Sequence, residues 1–197
     1  MRISRKELMK HVEDKTLVLK EKNFSYEIIV KSIPKIRFFC KIHKLSCELI
    51  SNKKRDINSL EDLANAINIR NKKERIEFIY DRVCDYLDSD FLGQNKCEFL
   101  KNQCLADRAK PYYKDCGCCR AKSGELCDYL KDGKCTIRNL GCKFFICPTL
   151  KKKGLKYKIN DFYLLKYFCN FREKIVLRYT IFVPKEKVIE RVLSHRW

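Results

Sequence analysis

Nine of the chain's 13 cysteines lie in one segment, between Cys97 and Cys147. Their neighbours are mostly Lys, Asp, Gly and Asn, whereas a structural free cysteine usually packs among apolar residues. Dense cysteines in polar surroundings are typical of metal binding through thiolates. We therefore expect a metal centre whose ligands are Cys97, Cys104, Cys116, Cys118, Cys119, Cys127, Cys135, Cys142 and Cys147.

The segment contains no histidine, because His11, His43 and His195 all lie elsewhere in the sequence. Ligand sets made only of thiolates select zinc or iron–sulfur clusters over hard cations such as magnesium and calcium. The spacing favours neither of these two, since only Cys116 and Cys119 form a clean CxxC pair that can reach one ion across a tight turn. The predicted cofactor is zinc or an iron–sulfur cluster.

A short repeat brackets this CxxC pair. The sequence Cys97-Glu-Phe-Leu-Lys leads to Cys104, and the sequence Cys127-Asp-Tyr-Leu-Lys leads to Cys135. We interpret the two units as similar turns that each present a pair of ligands.

Further along, three apolar residues, Phe144 to Ile146, stand between Cys142 and Cys147. Apolar side chains around a metal restrict access of water, so we expect this stretch to shield the site.

These residues carry a resemblance to a known family. In order, the chain has Cys116-Gly-Cys-Cys, Cys127-Asp-Tyr-Leu, Gly133-Lys-Cys-Thr-Ile and Cys142-Lys-Phe-Phe. This series resembles the zinc- or iron-chelating cysteine-cluster domain (the YkgJ-like family), whose pattern is CGxCC, CxxL, CxI and CRx[FY]. The resemblance implies that Cys118, Cys119, Cys127, Cys135 and Cys142 are metal ligands. The chain departs from the pattern where CGxCC is one residue shorter and where Asn139-Leu-Gly replaces Arg-Pro.

The chain also resembles cysteine-rich proteins of low-GC anaerobes, which share the repeat at Cys97. Some relatives look like flagellin lysine methylases that carry an iron–sulfur cluster. That likeness implies a further interpretation, an iron–sulfur protein-modifying enzyme such as a lysine methyltransferase. The sequence shows no nucleotide-binding glycine motif and no acid–base constellation, so we assign no catalytic residue and leave open whether the protein is an enzyme.

The other four cysteines, Cys40, Cys47, Cys84 and Cys169, sit among apolar residues, and we predict that they are buried core. The first residues, from Met1 to Glu7, lack the apolar stretch of a secretory signal. No apolar run approaches the ~20 residues that a membrane-spanning helix needs. We expect a cytoplasmic protein without a membrane partner, in a reducing compartment where clustered cysteines bind metal.

The net charge of +19 raises the question of a polyanionic partner. The stretch from Lys151 to Lys158 is the most basic part, and Tyr157 within it is a candidate for stacking on a base. A lysine-rich composition makes a solvated linker the favoured interpretation of this stretch. A zinc-stabilised nucleic-acid-binding protein is therefore our second interpretation, with weak, sequence-independent binding to phosphates. Metal binding without an assigned reaction ranks first, and the enzyme ranks third.

The flanks of the cysteine segment predict helices. Asn71 with Glu74 starts a helix whose apolar positions are Ile76, Ile79, Val83 and Leu87. Ser59 with Asp62 starts another, and residues 162–169, 175–179 and 184–193 carry further helical stripes. Residues 16–50 are ambiguous, because the alternation from Phe24 to Val30 resembles a strand, and Pro34 is expected to interrupt whatever forms.

We therefore predict a mainly α protein, with helical flanks around an irregular, metal-organised cysteine-rich module. The predicted domains are residues 1–92, a mostly helical region; 93–150, the metal-binding module; and 151–197, a helical region that packs on the rest. The middle region has no sustained apolar period and many turn residues, among them Gly117, Gly124 and Gly141, so we expect metal ligation to order it.

Overall fold

The computed structural model describes residues 16–20, 26–50, 60–93, 129–131 and 134–194. These residues are mainly helical, which confirms the predicted fold class at that level. In chain order the elements are β1 (Thr16–Lys20), α1 (Tyr26–His43), β2 (Ser46–Ile50), α2 (Leu60–Asn68), α3 (Lys72–Gly93), β3 (Leu130–Lys131), β4 (Lys134–Cys135), α4 (Leu140–Phe144), α5 (Pro148–Lys152), a 3₁₀ turn (Ile159–Asp161), α6 (Tyr163–Phe168), α7 (Phe171–Tyr179) and α8 (Lys185–Leu193). None of the helices in these ranges is long and apolar enough to cross a membrane.

The chain divides into two compact units. The first comprises Met1–Arg82 and Phe162–Asn170, and the second comprises Val83–Asp161 and Phe171–Trp197. The predicted module at 93–150 lies largely outside the described residues, and its boundaries stay a prediction.

The first unit contains a parallel β-strand pair that the sequence did not reveal. Strands β1 and β2 pair in register, with Leu17 opposite Cys47, and α1 forms the crossover between them. Parallel neighbours need such a long connection, and here it is a helix of 18 residues. The strand-like alternation from Tyr26 to Val30 therefore belongs to a helix, and the strands lie on either side of it.

Pro34 lies inside α1, so the expectation that it interrupts the element was wrong. An interior proline costs a helix ~3 kcal/mol. Ile33 and Ile36 are fully buried on either side of it, and this burial offsets the cost. The sequence also predicts a helical stripe of Phe38, Phe39, Ile42 and Leu45. Phe39 and Leu45 are buried, whereas Phe38 is 66% exposed and Ile42 is 56% exposed, so this prediction was partly wrong.

Helix α2 packs on β2 and on α6 in the first unit. Asn68, at the end of α2, acts as a substitute strand partner: the backbone N–H of Cys47 donates to Asn68 Oδ1 at 2.6 Å, and Asn68 Nδ2 donates to the Cys47 carbonyl at 2.8 Å. The buried Asp62 accepts from Arg82 Nε at 3.0 Å and from Arg82 Nη2 at 3.2 Å, which fastens α2 to the first part of α3.

The predicted start and apolar face of α3 are confirmed. The Asn71 side chain accepts from the backbone N–H groups of Lys73 and Glu74, at 2.8 Å and 3.3 Å, as a helix cap should. The apolar positions Ile76, Ile79, Val83 and Leu87 are all buried.

In the second unit α4 and α8 both pack on α7. The sequence predicts Val188, Ile189, Val192 and Leu193 as the inward positions of α8. The first three are buried there, whereas Leu193 is only partly covered.

Candidate metal centre

The structure describes only part of the predicted ligand set. Cys142 and Cys147 lie in the second unit and are both buried. Cys135 lies on β4, where its backbone but not its side chain is described. The remaining predicted ligands lie outside the described residues: Cys97, Cys104, Cys116, Cys118, Cys119 and Cys127. Within the ranges that are described, no three His, Cys, Asp or Glu residues form a group that could hold a metal ion.

A short hairpin sets the backbone at Cys135. Strands β3 and β4 are antiparallel, with Leu130 opposite Cys135 and Lys131 opposite Lys134. Beyond the strands, Thr136 donates twice to the Tyr129 carbonyl, from its backbone N–H at 2.7 Å and from its hydroxyl at 2.9 Å. The second repeat of the cysteine segment is thus a β-hairpin at the point where it presents its last cysteine.

Cys142 sits in the first turn of α4 and is held on two sides. Its backbone N–H donates to the side-chain oxygen of Asn139 at 2.8 Å, which caps the helix. Its sulfur accepts a hydrogen bond from the backbone N–H of Phe182 at 3.3 Å. A metal-bound thiolate carries negative charge, and N–H donors to the sulfur stabilise that charge. The hydrogen bond from Phe182 suits a thiolate, and it suits the neutral thiol of a buried cysteine equally.

The backbone conformation of the loop from Thr180 to Val183 places the N–H of Phe182 beside the sulfur of Cys142. Phe182 has a φ of 59°, in the left-handed region that side chains larger than glycine seldom adopt. Asn139 also holds this loop, because its Nδ2 donates to the Val183 carbonyl at 2.8 Å. The side chain of Asn139 therefore hydrogen-bonds both to Cys142 and to the loop whose N–H donates to the sulfur of Cys142.

Gly141 allows α4 to approach this loop closely. A Cβ at this position would lie 2.6 Å from the backbone oxygen of Thr180, a distance that real Cβ atoms do not tolerate. Thr180 is itself fixed, since its hydroxyl donates to the Val176 carbonyl at 2.6 Å. The absence of a side chain at Gly141 is thus a condition for the contact between Cys142 and Phe182.

Two ion pairs connect residues 138–143, which include the start of α4, to the second half of α3. Lys143, between Cys142 and Phe144, is buried and forms an ion pair with Asp88. Arg138 forms a more exposed ion pair with Asp85 at 2.9 Å. A buried ammonium needs its partner because desolvating a lone charge is costly, so the Lys143 pair contributes mainly to a unique position of α4.

Cys147 ends the apolar stretch that we expected to act as a shield. Its carbonyl accepts from the N–H of Lys151 at 3.0 Å, in the first turn of α5. Phe144 and Ile146 are both buried, whereas Phe145 is only partly covered. Two of the three apolar residues are therefore buried, and their role as a shield of the metal site stays a prediction.

The four cysteines predicted to be core, Cys40, Cys47, Cys84 and Cys169, are buried as expected. Sequence reasoning missed that Cys40 of α1 and Cys47 of β2 hydrogen-bond to each other through their side chains. This bond, helped by the nearby positive charge of Arg70, lowers the pKa of the Cys40 thiol below its usual 9.0 despite burial. The same bond and burial raise the pKa of Cys47.

A basic groove of about 410 Å³ lies beside the Cys142 segment in the second unit. Its lining comprises Gly141, Phe144–Ile146, Lys151, Leu155–Lys158, Arg178–Tyr179 and Ile181. The sequence pointed to Lys151, Lys156, Lys158 and Tyr157, but the contribution of α7 and the loop after it was missed. No local signal exists for it, since the groove residues of α7, Arg178 and Tyr179, lie at least twenty residues beyond Lys158.

No protein-family model matches this chain, and no curated protein or solved structure matches it either.

Proposed function

We propose that this chain is a metal-binding protein whose segment from Cys97 to Cys147 holds zinc or an iron–sulfur cluster through cysteine thiolates. The observation that carries the proposal is the concentration of nine cysteines in that segment, without histidine. The resemblance to the zinc- or iron-chelating cysteine-cluster domain supports it and is part of the proposal. The ligand set proposed is the nine cysteines named above, of which Cys118, Cys119, Cys127, Cys135 and Cys142 match that family's pattern.

The surroundings of Cys142 support the same assignment. A sulfur that accepts a backbone N–H is a common feature of bound thiolates, because the donor offsets their negative charge. Next to it, Phe144 and Ile146 are apolar and buried, and apolar side chains around a metal restrict access of water. An ion bound here would supply order to a region that lacks a regular apolar pattern.

The test is anaerobic purification of the whole chain from metal-replete cells, followed by metal analysis and a visible spectrum. We expect at least one zinc per chain in a colourless protein, or iron and inorganic sulfide in a brown one. The two outcomes distinguish a structural zinc site from an iron–sulfur centre. Less than about a tenth of an ion per chain, with freely titrating thiols, would end the proposal, because a folding-coupled site is saturated under these conditions.

A further inference from the structure

The basic groove combines an apolar floor with a cationic rim. Phe144 and Ile146 are buried beneath it, and Leu155 is half-buried. Around this floor stand Lys151, Lys156, Lys158 and Arg178, and none of the described residues that line the groove is acidic. The lysines are exposed, so their charges are available to a ligand. A ligand that fits must carry several negative charges together with flat or apolar parts.

The backbone explains why these lysines line a groove and do not form a solvated linker. After α5 the N–H of Gly154 donates to the Lys151 carbonyl, and the N–H of Leu155 donates to the Leu150 carbonyl, both at 3.0 Å. With Gly154 at a φ of 83°, this is the Schellman arrangement that reverses a chain at a helix end. Leu155 to Lys158 are therefore turned back along the edge of the groove.

Aromatic faces complete the groove. Tyr179 is 68% exposed, and the guanidinium carbon of Arg178 lies 5.7 Å from the centre of its ring, a cation–π contact. Tyr157 is half-buried on the side of the lysine stretch. Tyrosine rings beside cations are the surface on which unpaired bases stack while their phosphates contact lysine.

We propose that the basic groove binds a short stretch of single-stranded nucleic acid. Tyr179, with Arg178 against it, stacks on a base, and Lys151, Lys156 and Lys158 contact the phosphates. A duplex keeps its base faces inside its own stack, and an acidic peptide has charge but no flat ring for Tyr179. The site goes beyond metal binding and does not rest on it, since every residue invoked lies among the described residues of the second unit.

The test uses the whole chain, purified as for metal analysis, and fluorescence anisotropy with a labelled homopyrimidine single strand. Tyr179→Ala should weaken binding roughly tenfold, the usual cost of losing one stacked base. Tyr179→Phe keeps the ring and should bind like the parent. Replacing Lys151, Lys156 and Lys158 by Gln should lower the dependence of log K on log salt by about two, because each phosphate contact on a single strand contributes ~0.7.

A matched variant separates the groove from general charge. Lys35, Lys41 and Lys187 are exposed and lie outside the groove, so their replacement by Gln removes the same charge. This control should leave both affinity and salt dependence near those of the parent. Equal losses in the two triple variants would overturn the proposal.

Two further arms test the identity of the ligand. The duplex of the same sequence and poly-glutamate of equal charge should each bind at least tenfold more weakly than the single strand, a difference of ~1.4 kcal/mol. Binding of poly-glutamate as tight as that of the single strand would overturn the assignment, and so would unchanged affinity in both Tyr179→Ala and the groove lysine variant. Metal content measured on the same samples keeps this result distinct from any failure of metal binding.

Discussion

The backbone N–H of Phe182 donates to the sulfur of Cys142 at 3.3 Å, across forty positions of sequence. The contact joins the loop after α7 to the first turn of α4, and it places an N–H donor on a cysteine that we propose as a metal ligand. The proposed role of Cys142 in metal binding can be tested by comparing it with another buried cysteine of the same unit.

We expect Cys142→Ser to lower the metal content of the purified protein, because a serine hydroxyl is a poor ligand for zinc or iron–sulfur clusters. The matched control is Cys84→Ser on α3, which is fully buried in the same unit. That change should cost about 1–3 kcal/mol of stability for burying a hydroxyl, with metal retained. Metal analysis and urea unfolding of both variants provide the comparison, and equal metal loss in the two would contradict the ligand assignment.

Gly141→Ala should strongly destabilise the second unit. The new Cβ would meet the Thr180 backbone oxygen at 2.6 Å, so α4 must move away from the loop at a cost of about 1–3 kcal/mol or more. Gly154→Ala is the control, because its Cβ would meet nothing within 4 Å although its φ is 83°. We expect that change to cost only about 1 kcal/mol, for the left-handed backbone. Thermal unfolding monitored by circular dichroism gives the ranking, and a milder effect at Gly141 than at Gly154 would be inconsistent with the close approach.

The pair Cys40 and Cys47 should give the first unit a characteristic pH dependence under reducing conditions. The lowered pKa of Cys40 means that the folded protein releases a proton before the unfolded chain does, so stability rises with pH up to about 9. The raised pKa of Cys47 acts above 9, where the unfolded chain ionises first and stability falls.

Cys47→Ala removes the hydrogen bond that lowers the pKa of Cys40, and it removes the Cys47 thiol itself. The free energy of unfolding of the parent relative to this variant should therefore increase from neutral pH to about 9 and decrease beyond it. Urea titrations at a series of pH values measure this difference, which cancels the ionisation of residues other than Cys40 and Cys47. A difference that stays constant with pH would show that the hydrogen bond does not shift the pKa values of the two thiols as described.

Removal of metal should loosen the cysteine segment while most of the helical signal remains. The first unit holds its own apolar core, including Ile33, Leu63 and Ile79, whose burial is worth ~25 cal/mol per Å² without any ion. Chelation under reducing conditions should leave most far-UV helical signal and direct trypsin to the region between Gly93 and Lys153, mainly to the lysines before Lys131. Lys143 provides an internal control, because it is buried in its ion pair with Asp88 and should be cut last.

Mass spectrometry of the first fragments identifies the sites. Collapse of the whole helical signal on chelation would mean that the metal centre supports a single cooperative core. Resistance of the middle region without metal would point to packing in place of ligation.

The sequence alone determined the features that depend on near neighbours. The cap at Asn71 and the buried face of α3 follow from side chains three and four positions apart, which meet on one side of a helix whatever surrounds it. The burial of Cys40, Cys47, Cys84 and Cys169 followed in the same way from the apolar residues around them. The concentration of nine cysteines is likewise visible without any coordinates, and it carries the proposal of a metal centre.

Tertiary structure decided whatever depends on residues distant in sequence. Pro34 is accommodated in α1 because the isoleucines beside it are buried in a core built from other segments, and burial outweighs the local penalty. The parallel pairing of β1 with β2 arises in the same way, since neither strand has its partner nearby in the chain. The N–H of Phe182 reaches Cys142 only because Gly141 lets two backbones approach. Lys156 and Lys158 line the same groove as Tyr179 because the chain turns at Gly154. Such contacts cannot be predicted from a pattern of neighbouring residues, because each contact depends on how whole elements pack against one another.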